Sequence, residues 1–428
     1  MVLQKPREIA AQILLAHADS QAYIEELVDR ELAATRLPSL DRGLVQEICY
    51  GCIRWRQTLD WLIDRQARFR PPGPEARVFL RLGLYQLFWL DRVPPHAAVH
   101  ETVEAAHALD RGPFVGFLNA LLRAYTRTLE ETRAELTALK TKDPALGWSH
   151  PRWLVERWRQ ALSAEALQKL LEWNNSPAPL YARINTLKTD AGRVIEAWRR
   201  EGVDYNFTHF DWIGENLVFE WRRHPPIERL KSYADGSFYV QDPSTLLAVA
   251  LLDPQPGESI LDLCAAPGGK TTFIAQRLDN DGRVVASEPD PRRRRRLHEN
   301  CERLAADVTV LAPDDPRAQG PFDRVLVDAP CSNTGVLRRR LDARWRLEPG
   351  EIRRCQSRQA HVIAEGLRRL RPGGRLVYST CSLEPEENAG AIRAALGAHP
   401  GLVLESERTL HPATDRVDGA YAARLLRP

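Results

Sequence analysis

Two cysteines each follow a short apolar run that is typical of a buried β-strand. Residues 322–327 (FDRVLV) lead into Asp328-Ala329-Pro330-Cys331, and residues 374–378 (GRLVY) lead into Ser379-Thr380-Cys381. Parallel α/β sheets hold ligands and catalytic groups just past the carboxyl ends of their strands. A lone buried cysteine is usually inert packing, but a thiol can also act as a nucleophile. Two cysteines in this setting favour a catalytic site.

The elements that would position these cysteines begin at residue 259. Residues 259–263 predict a buried strand, the sequence Cys264-Ala265-Ala266-Pro267-Gly268-Gly269-Lys270 predicts a turn, and residues 270–278 predict a helix. This is the first unit of nucleotide-binding α/β folds, in which glycine lets the backbone approach a ligand and the helix N-terminus offers free N–H groups. The absence of G-x-G-x-x-G disfavours a dinucleotide as ligand. A phosphate-binding P-loop is also disfavoured, because Cys264 stands where the first glycine of that motif belongs. The alternative is an ordinary strand, turn and helix of another α/β enzyme.

Composition narrows the class of protein. The chain has 428 residues, which is enough for two or three domains, and its 43% hydrophobic and 27% charged residues are ordinary for a globular protein. A net charge of +3 permits a nucleic-acid partner without requiring one. Seven cysteines and a start unlike a signal peptide predict free thiols in a reducing cytoplasm. No apolar run approaches the roughly 18 residues of a membrane span, so we expect no membrane association.

The pattern of apolar residues predicts three domains. Residues 1–143 show helical spacing without a strand pattern, including a central helix over 78–89, and predict an all-α domain. Residues 144–236 mix helical segments with extended ones at 180–186, 205–210 and 217–221, which predicts a small α+β domain. Residues 237–428 predict a Rossmann-like α/β domain. Cys49 and Cys52 have metal or redox spacing, but they fall on an apolar helical face and are interpreted as core, so no metal site is proposed.

Three motifs carry a resemblance to a known family. The sequences Asp262-Leu263-Cys264-Ala265-Ala266-Pro267-Gly268-Gly269-Lys270, Asp328-Ala329-Pro330-Cys331 and Ser379-Thr380-Cys381-Ser382 closely resemble those of the RNA 5-methylcytosine methyltransferases that use S-adenosyl-L-methionine. Residues 81–87, 91–99 and 119–123 resemble the NusB-like RNA-binding domain. Together they resemble the RsmB-type (Sun/Fmu) branch, which implies methylation of carbon 5 of a cytosine in 16S ribosomal RNA.

Three other functions stay open at this point. A tRNA-directed member of the same family would share the catalytic half of the chain, although the additional helical domain argues against it. An amino-methyltransferase would carry an Asn/Asp-Pro-Pro-Tyr loop where this chain has Asp328-Ala329-Pro330-Cys331. A non-catalytic RNA-binding assembly factor would be expected to lack one of the two cysteines.

The resemblance also implies roles for the site residues. Cys381 would be the nucleophile that adds to carbon 6 of cytosine, and Cys331 would help to remove the proton from carbon 5 and release the enzyme. Asp328 would hydrogen-bond or protonate ring nitrogen 3. Lys270 would position Asp328 or lower the pKa of a thiol.

The expected cofactor site surrounds the first glycine turn. Glu288 ends a predicted strand over 283–288, and a carboxylate there can accept both ribose hydroxyls of an adenosyl group. Asp314 follows a strand over 308–311 and would lie near the adenine. The full predicted set is Cys264, Ala265, Ala266, Pro267, Gly268, Gly269, Lys270, Glu288, Arg293, Asp314 and Asp328.

RNA is the expected partner, because a cytosine must leave its stack to reach a pocket between two cysteines. The basic residues predicted to line the approach are Arg183, Arg338, Arg339, Arg340, Arg344 and Arg346. Trp345 is expected either to stack on a base or to belong to the core. The arginine run 292–296 is interpreted as a solvated helix face, with phosphate contact as the alternative. We expect a monomer that needs neither metal nor membrane.

Overall fold

The computed structural model describes residues 5–67, 71–110 and 112–428. In chain order, these residues form α1 Pro6–Ala18, α2 Ile24–Ala34, α3 Ser39–Arg54, α4 Arg56–Gln66, α5 Pro74–Trp89, α6 Pro95–Ala108, α7 Gly112–Arg127, α8 Leu129–Lys142, α9 Pro144–Gly147, α10 Arg152–Ala161, α11 Ala164–Asn175, β1 Leu180–Ile184, α12 Ala191–Glu201, β2 Asp204–Phe207, β3 Val218–Arg223, α13 Lys231–Ala234, β4 Phe238–Val240, α14 Leu247–Leu252, β5 Ser259–Asp262, α15 Gly269–Arg277, β6 Arg283–Ser287, α16 Pro291–Leu304, β7 Val308–Leu311, β8 Phe322–Asp328, α17 Ala343–Arg346, α18 Pro349–Arg369, β9 Leu370–Thr380, α19 Ala389–Ala398, β10 Val403–Leu410, α20 Pro412–Asp415 and β11 Ala420–Leu426.

The chain divides into two compact units. The first, which we call the helical unit, comprises Met1–Ser176 and Leu337–Arg346. The second, the sheet unit, comprises Pro177–Val336 and Leu347–Pro428. The predicted domain boundaries after residues 143 and 236 fall between elements, after α8 and before β4, and stay a prediction.

The helical unit confirms the all-α prediction for the described residues before 143. Its central helix α5 is buried along most of its length, as the apolar run predicts, and it ends before Pro94 and Pro95, which cannot continue a hydrogen-bonded helix. Cys49 and Cys52 are both buried in α3, and burial raises the pKa of the Cys49 thiol well above its usual value. The interpretation of this pair as core is therefore confirmed.

A short insertion from late in the sequence completes the helical unit. The Asp342 carboxylate accepts hydrogen bonds from the Ile24 N–H (2.7 Å) and lies 2.7 Å from His17 Nε2. The Trp345 indole N–H donates to the Ile53 carbonyl over 2.7 Å. These bonds join residues about 300 positions apart in sequence, so the unit is continuous in space but not along the chain.

The sheet unit contains a four-stranded antiparallel sheet with the order β2-β3-β1-β4. The extended segments predicted for the α+β domain are confirmed as β1, β2 and β3, with boundaries shifted by a few residues. Helix α12 covers one face, because its fully buried Trp198 packs edge-on against Phe219, Trp221 and Phe238. This aromatic cluster forms the core of the smaller sheet.

The larger sheet has seven strands in the order β10-β11-β9-β8-β5-β6-β7. Strands β5 to β9 are parallel neighbours, whereas β10 and β11 are antiparallel additions that the sequence analysis missed. The chain proceeds from β5 outward to β6 and β7 and then returns to β8 on the other side. The crevice at this reversal, outside the carboxyl ends of β5 and β8, is where open α/β sheets bind ligands.

Two general findings concern the described residues as a whole. Among them, no helix combines the length and the apolar character that crossing a membrane requires. Within the same ranges, no three His, Cys, Asp or Glu side chains are grouped so that they could hold a metal ion.

Candidate active site

The two predicted catalytic thiols lie side by side at the carboxyl edge of the larger sheet. Strands β8 and β9 are parallel neighbours, with Asp328 in register with Ser379. Each cysteine follows its strand within three residues, so both loops leave the sheet at the same edge. The Sγ atoms of Cys331 and Cys381 are 3.3 Å apart. A single small ligand can therefore contact both sulfur atoms.

The loop after β8 is shaped to receive Cys381. Asn333 adopts a left-handed backbone conformation (φ 61°), which asparagine tolerates better than most residues, and its Oδ1 accepts a bond from Cys381 Sγ at 3.2 Å. Gly335 is packed so closely that a Cβ atom would stand 2.6 Å from the Cys381 carbonyl oxygen. Asn333 was not predicted as a site residue, and its contact with Cys381 is visible only in the folded chain.

Lys270 and Asp328 form an ion pair beside the thiols. Lys270 Nζ lies 2.7 Å from Asp328 Oδ2, and the Ser379 hydroxyl donates to Asp328 Oδ1 over 2.8 Å. Burial lowers the pKa of Lys270, but the Asp328 carboxylate outweighs it and raises the net pKa above its usual value. Lys270 is therefore an ammonium at neutral pH and orients the carboxylate of Asp328, which agrees with the positioning role predicted for it.

The environments of the cysteines differ in a way that bears on proton transfer. The pKa of Cys331 is raised well above its usual value by its hydrogen bond with Cys381 and by burial. A thiol with a raised pKa keeps its proton at neutral pH and can donate to a neighbouring thiolate. Cys331 is therefore suited to hold a proton beside Cys381.

The predicted cofactor residues border the switch-point crevice. The strand predicted over 259–263 ends at Asp262, so Cys264 lies in the turn after β5. Gly268 has a left-handed conformation (φ 105°) and precedes α15, whose first N–H groups are available to a ligand. Glu288, just after β6, is buried, with Oε2 3.5 Å from Arg293 Nη1. Asp314 is exposed in the turn after β7.

A further acid at this edge was not predicted as a site residue. Asp262 is fully buried at the end of β5, and its Oδ2 accepts a hydrogen bond from the Thr271 hydroxyl over 2.7 Å. Its Oδ1 has no hydrogen-bond donor among the described residues. Burial, together with the charge of Asp328, raises the pKa of Asp262 to about 7. A buried acceptor without a partner fits a site that a ligand completes.

Three arginines predicted to contact RNA are instead buried, so that prediction was wrong for Arg183, Arg338 and Arg344. Arg183 donates to the Gly269 carbonyl (2.8 Å) and the Thr272 hydroxyl (3.0 Å) and thus supports the start of α15. The Arg338 guanidinium stacks on the Trp173 ring, 3.6 Å from its centroid.

Arg344 and its neighbours have structural contacts within the helical unit. Arg344 donates to Asn175 Oδ1 and to the Asn174 carbonyl, each over 2.8 Å. Arg346 donates to the carbonyls of Gln21 and Ala22. The hydrogen bond of Trp345 to the Ile53 carbonyl favours the core alternative for that side chain. Backbone carbonyls and a side-chain amide from distant parts of the sequence, which no residue pattern reveals, accept the hydrogen bonds of these cations. Arg339, Arg340 and the half-buried Arg346 stay as predicted RNA contacts.

Substituting Arg344 with methionine is expected to destabilise the helical unit by roughly 3–5 kcal/mol, because several buried acceptors lose their donor. Urea unfolding followed by tryptophan fluorescence measures this change. Arg340→Met is the matched control, since Arg340 is exposed and should change stability by less than about 0.5 kcal/mol. If the Arg344 variant kept wild-type stability but bound RNA more weakly, Arg344 would be an RNA contact, as the sequence predicted.

Two thiols converge at the ends of β8 and β9, beside the switch point of a Rossmann-like sheet, and together with the family matches given next they identify the chain as an RNA methyltransferase. Residues 249–426 match the family described as 16S rRNA methyltransferase RsmB/F, residues 4–127 match the NusB family, and residues 150–212 match an RsmF/B-like ferredoxin-like domain. The chain belongs to the RsmB/F family, and the predicted family and fold are confirmed.

Full-length relatives and a solved structure support this assignment. The chain is 35% identical to ribosomal RNA small subunit methyltransferase B of Cronobacter sakazakii over 94% of this chain and 96% of the relative. It is 35% identical to the protein of the same name from Escherichia coli over 90% of this chain and 91% of the relative. A crystal structure of a methyltransferase homolog from Pyrococcus horikoshii shares 30% identity and a TM-score of 0.58, over 67% of this chain and 98% of that one.

Proposed function

We propose that this protein transfers a methyl group from S-adenosyl-L-methionine to carbon 5 of a cytosine in 16S ribosomal RNA, through a covalent bond between Cys381 and carbon 6. The observation that carries the proposal is the 3.3 Å separation of the two sulfur atoms beside the Lys270–Asp328 pair. The named relatives that span almost the whole chain support 16S ribosomal RNA as substrate.

The residues around the first glycine turn fit the proposed cofactor. The N–H groups at the N-terminus of α15 and the backbone of residues 264–269 are suited to bind the charged amino-acid end of the cofactor. Glu288 would accept hydrogen bonds from the ribose hydroxyls instead of pairing with Arg293. Asp314 would approach the edge of the adenine ring. Asp262 Oδ1 is a buried acceptor that a bound ammonium group would satisfy. When bound, S-adenosyl-L-methionine supplies an electrophilic methyl group on a sulfonium sulfur.

The thiols and the ion pair then perform the chemistry on cytosine. Carbon 5 of cytosine is a poor nucleophile, and a Cys381 thiolate that adds to carbon 6 makes the ring enamine-like. Asp328, positioned by Lys270, takes up a proton and donates it to ring nitrogen 3, which neutralises the negative charge that the addition places on the ring. After methyl transfer, Cys331, which has first lost its own proton to solvent, removes the carbon 5 proton as a thiolate, and the bond from Cys381 to carbon 6 breaks with return of the electron pair to sulfur.

The remaining parts of the proposal concern partners and location. The helical unit and the smaller sheet of the sheet unit would bind RNA and present one unstacked cytosine to the thiols. The protein would act as a monomer in the cytoplasm without a metal. Its seven cysteines are all free thiols in the structure.

The test is methylation of defined RNA by the purified protein. We expect labelled S-adenosyl-L-methionine to yield 5-methylcytosine in 16S ribosomal RNA, and bisulfite sequencing of a deletion strain to show the loss of one site in that RNA. Methylation of tRNA alone would support the tRNA-directed alternative. Binding of RNA without any methylated product, by a folded protein supplied with the donor, would support the assembly-factor alternative.

The Lys270–Asp328 pair is expected to act as one functional unit. Asp328→Asn and Lys270→Met should each lower kcat by roughly 10²–10⁴-fold, because either change leaves ring nitrogen 3 without a correctly placed partner. The double variant should be little slower than the single variants, since groups that act together are not additive. Single-turnover rates with saturating RNA measure these effects. Losses that simply multiply in the double variant would contradict the shared role.

A further inference from the structure

A buried polar cluster lies beneath the two cysteines and is not part of the mechanism above. Glu387 is fully buried in the sheet unit, as is the hydroxyl-bearing Ser382 that follows Cys381. Ser332, which follows Cys331, is also buried. Burying a carboxylate costs several kcal/mol unless hydrogen bonds compensate. The contacts of Glu387 therefore indicate what this acid does.

The carboxylate of Glu387 bridges the two cysteine loops. Its Oε2 accepts hydrogen bonds from the Ser332 backbone N–H and from Gln359 Nε2, each over 2.9 Å. Its Oε1 accepts from the Ser382 hydroxyl over 3.1 Å. The residues bound are the immediate neighbours of Cys331 and Cys381. One rigid, planar group thus sets the spacing between the loops that carry the sulfur atoms.

Further bonds fix the bridge itself. The Tyr378 hydroxyl of β9 donates to the Glu387 backbone carbonyl over 2.6 Å, and Gln359 of α18 also donates to the Pro330 carbonyl over 3.1 Å. The hydroxyl oxygens of Ser332 and Ser382 are 3.0 Å apart. The bridge is therefore anchored to a strand and to a long helix, and its position does not depend on loop conformation alone.

The chemistry of the bridge requires an acceptor on both sides. An ionised carboxylate only accepts hydrogen bonds, so Oε2 can serve the amide N–H of one loop while Oε1 serves the hydroxyl of the other. A carboxamide of the same shape has one donor nitrogen, which would either oppose the Ser332 N–H or force the Ser382 hydroxyl to turn its proton away from the bridge. A shift of about 1 Å in the spacing of reacting groups can cost around 100-fold in rate.

We propose that Glu387 is a positioning residue, whose carboxylate joins the Cys331 and Cys381 loops and holds the two sulfur atoms at the separation that methyl transfer requires. This inference rests on the proposed function for its catalytic consequence, but the positioning itself can be measured without methyl transfer. Glu387 donates to and accepts from neither thiol among the described residues, although its charge helps to raise the pKa of Cys331, and it positions the two loops through Ser332 and Ser382.

The experiment compares Glu387→Gln and Glu387→Ala with wild type in two assays. The first measures kcat and KM with 16S ribosomal RNA. The second measures how fast diamide links Cys331 and Cys381, with the linked peptides identified by mass spectrometry. In that reaction the two thiols lose two protons and two electrons, and the azo compound is reduced to its hydrazine form. The resulting bond of about 2.05 Å forms readily only between sulfur atoms that are held together.

We expect both Glu387 variants to lower kcat by about 10–100-fold and to slow cross-linking by about tenfold, with KM for RNA changed by less than about twofold. Ile392→Val, in the core on α19, is the matched control for lost stability and should behave like wild type in both assays. Ser382→Ala keeps the carboxylate and removes one of its donors. Ser382→Ala should reproduce part of the loss in kcat and in cross-linking rate, and it replaces the Glu387 variants as the test if they fail to fold.

Wild-type rates of turnover and cross-linking in Glu387→Gln and in Ser382→Ala would overturn the proposal. Slower cross-linking in the variants, together with a wild-type protein that methylates no RNA, would support the positioning role while refuting the proposed function. Equal losses in Ile392→Val would also overturn the proposal, because they would trace the effect to stability and not to the bridge.

Discussion

Replacing Cys331 with alanine is expected to trap the protein on its RNA as a covalent adduct through Cys381. The Cys331 thiol lies 3.3 Å from Cys381, where a thiolate can reach the proton on carbon 5 after methyl transfer. Without that base the elimination step slows, while the addition to carbon 6 still proceeds. Labelled RNA should then migrate with the protein on a denaturing gel, and turnover should fall by at least about 10³-fold.

The controls for this adduct use other cysteines of the chain. Cys49→Ala removes a buried thiol of the helical unit and should leave both turnover and the gel pattern unchanged. A double variant that lacks Cys331 and Cys381 should form no adduct. Turnover of Cys331→Ala at the wild-type rate would show that the roles of the two cysteines are wrongly assigned.

Replacing Cys381 with alanine is expected to abolish turnover and adduct formation together. Carbon 5 of cytosine does not attack a sulfonium methyl group at a useful rate unless a nucleophile has added to carbon 6, and Cys381 is the residue proposed to make that addition. We expect a loss of at least about 10⁴-fold in kcat. RNA affinity, measured by fluorescence anisotropy, should change by less than about twofold, because the variant loses only a small side chain.

A Cys381→Ala variant whose methylation rate stays within about tenfold of wild type would contradict this second prediction. In that case Cys331 would be the nucleophile, and Cys331→Ala would be the variant without an adduct. Testing both single variants on the same RNA therefore separates the two assignments.

The main elements of the larger sheet were predictable because they are apolar runs bounded by turns. Strands β5 to β8 lie within a residue or two of their predicted ranges, and the positions of Cys331 and Cys381 after neighbouring strands explain their approach. Strand β10 was not predicted, because its sequence VLESERTL carries an unbroken polar stretch over residues 405–409 at an edge of the sheet. Edge strands often carry such charges, which makes them resemble loops.

The buried polar contacts were beyond sequence reasoning. Arg344 reads as one member of a basic stretch, but its acceptors come from Asn174 and Asn175, about 170 residues earlier. Glu387 reads as one of several acids near a turn, and its partner Ser332 lies 55 residues away. In both cases the decisive partners are backbone groups or distant side chains, and only the folded chain brings them together.

The split composition of the helical unit has a practical consequence for dissecting the protein. The chain changes unit after residues 176, 336 and 346, so a single proteolytic nick at the first of these points does not free either piece. A fragment that ends at residue 176 would lack the Asp342 carboxylate and the Trp345 indole, which form hydrogen bonds with its helices. Gene truncation therefore gives an incomplete bundle, whereas adding the missing ten-residue segment back as a peptide should complement it.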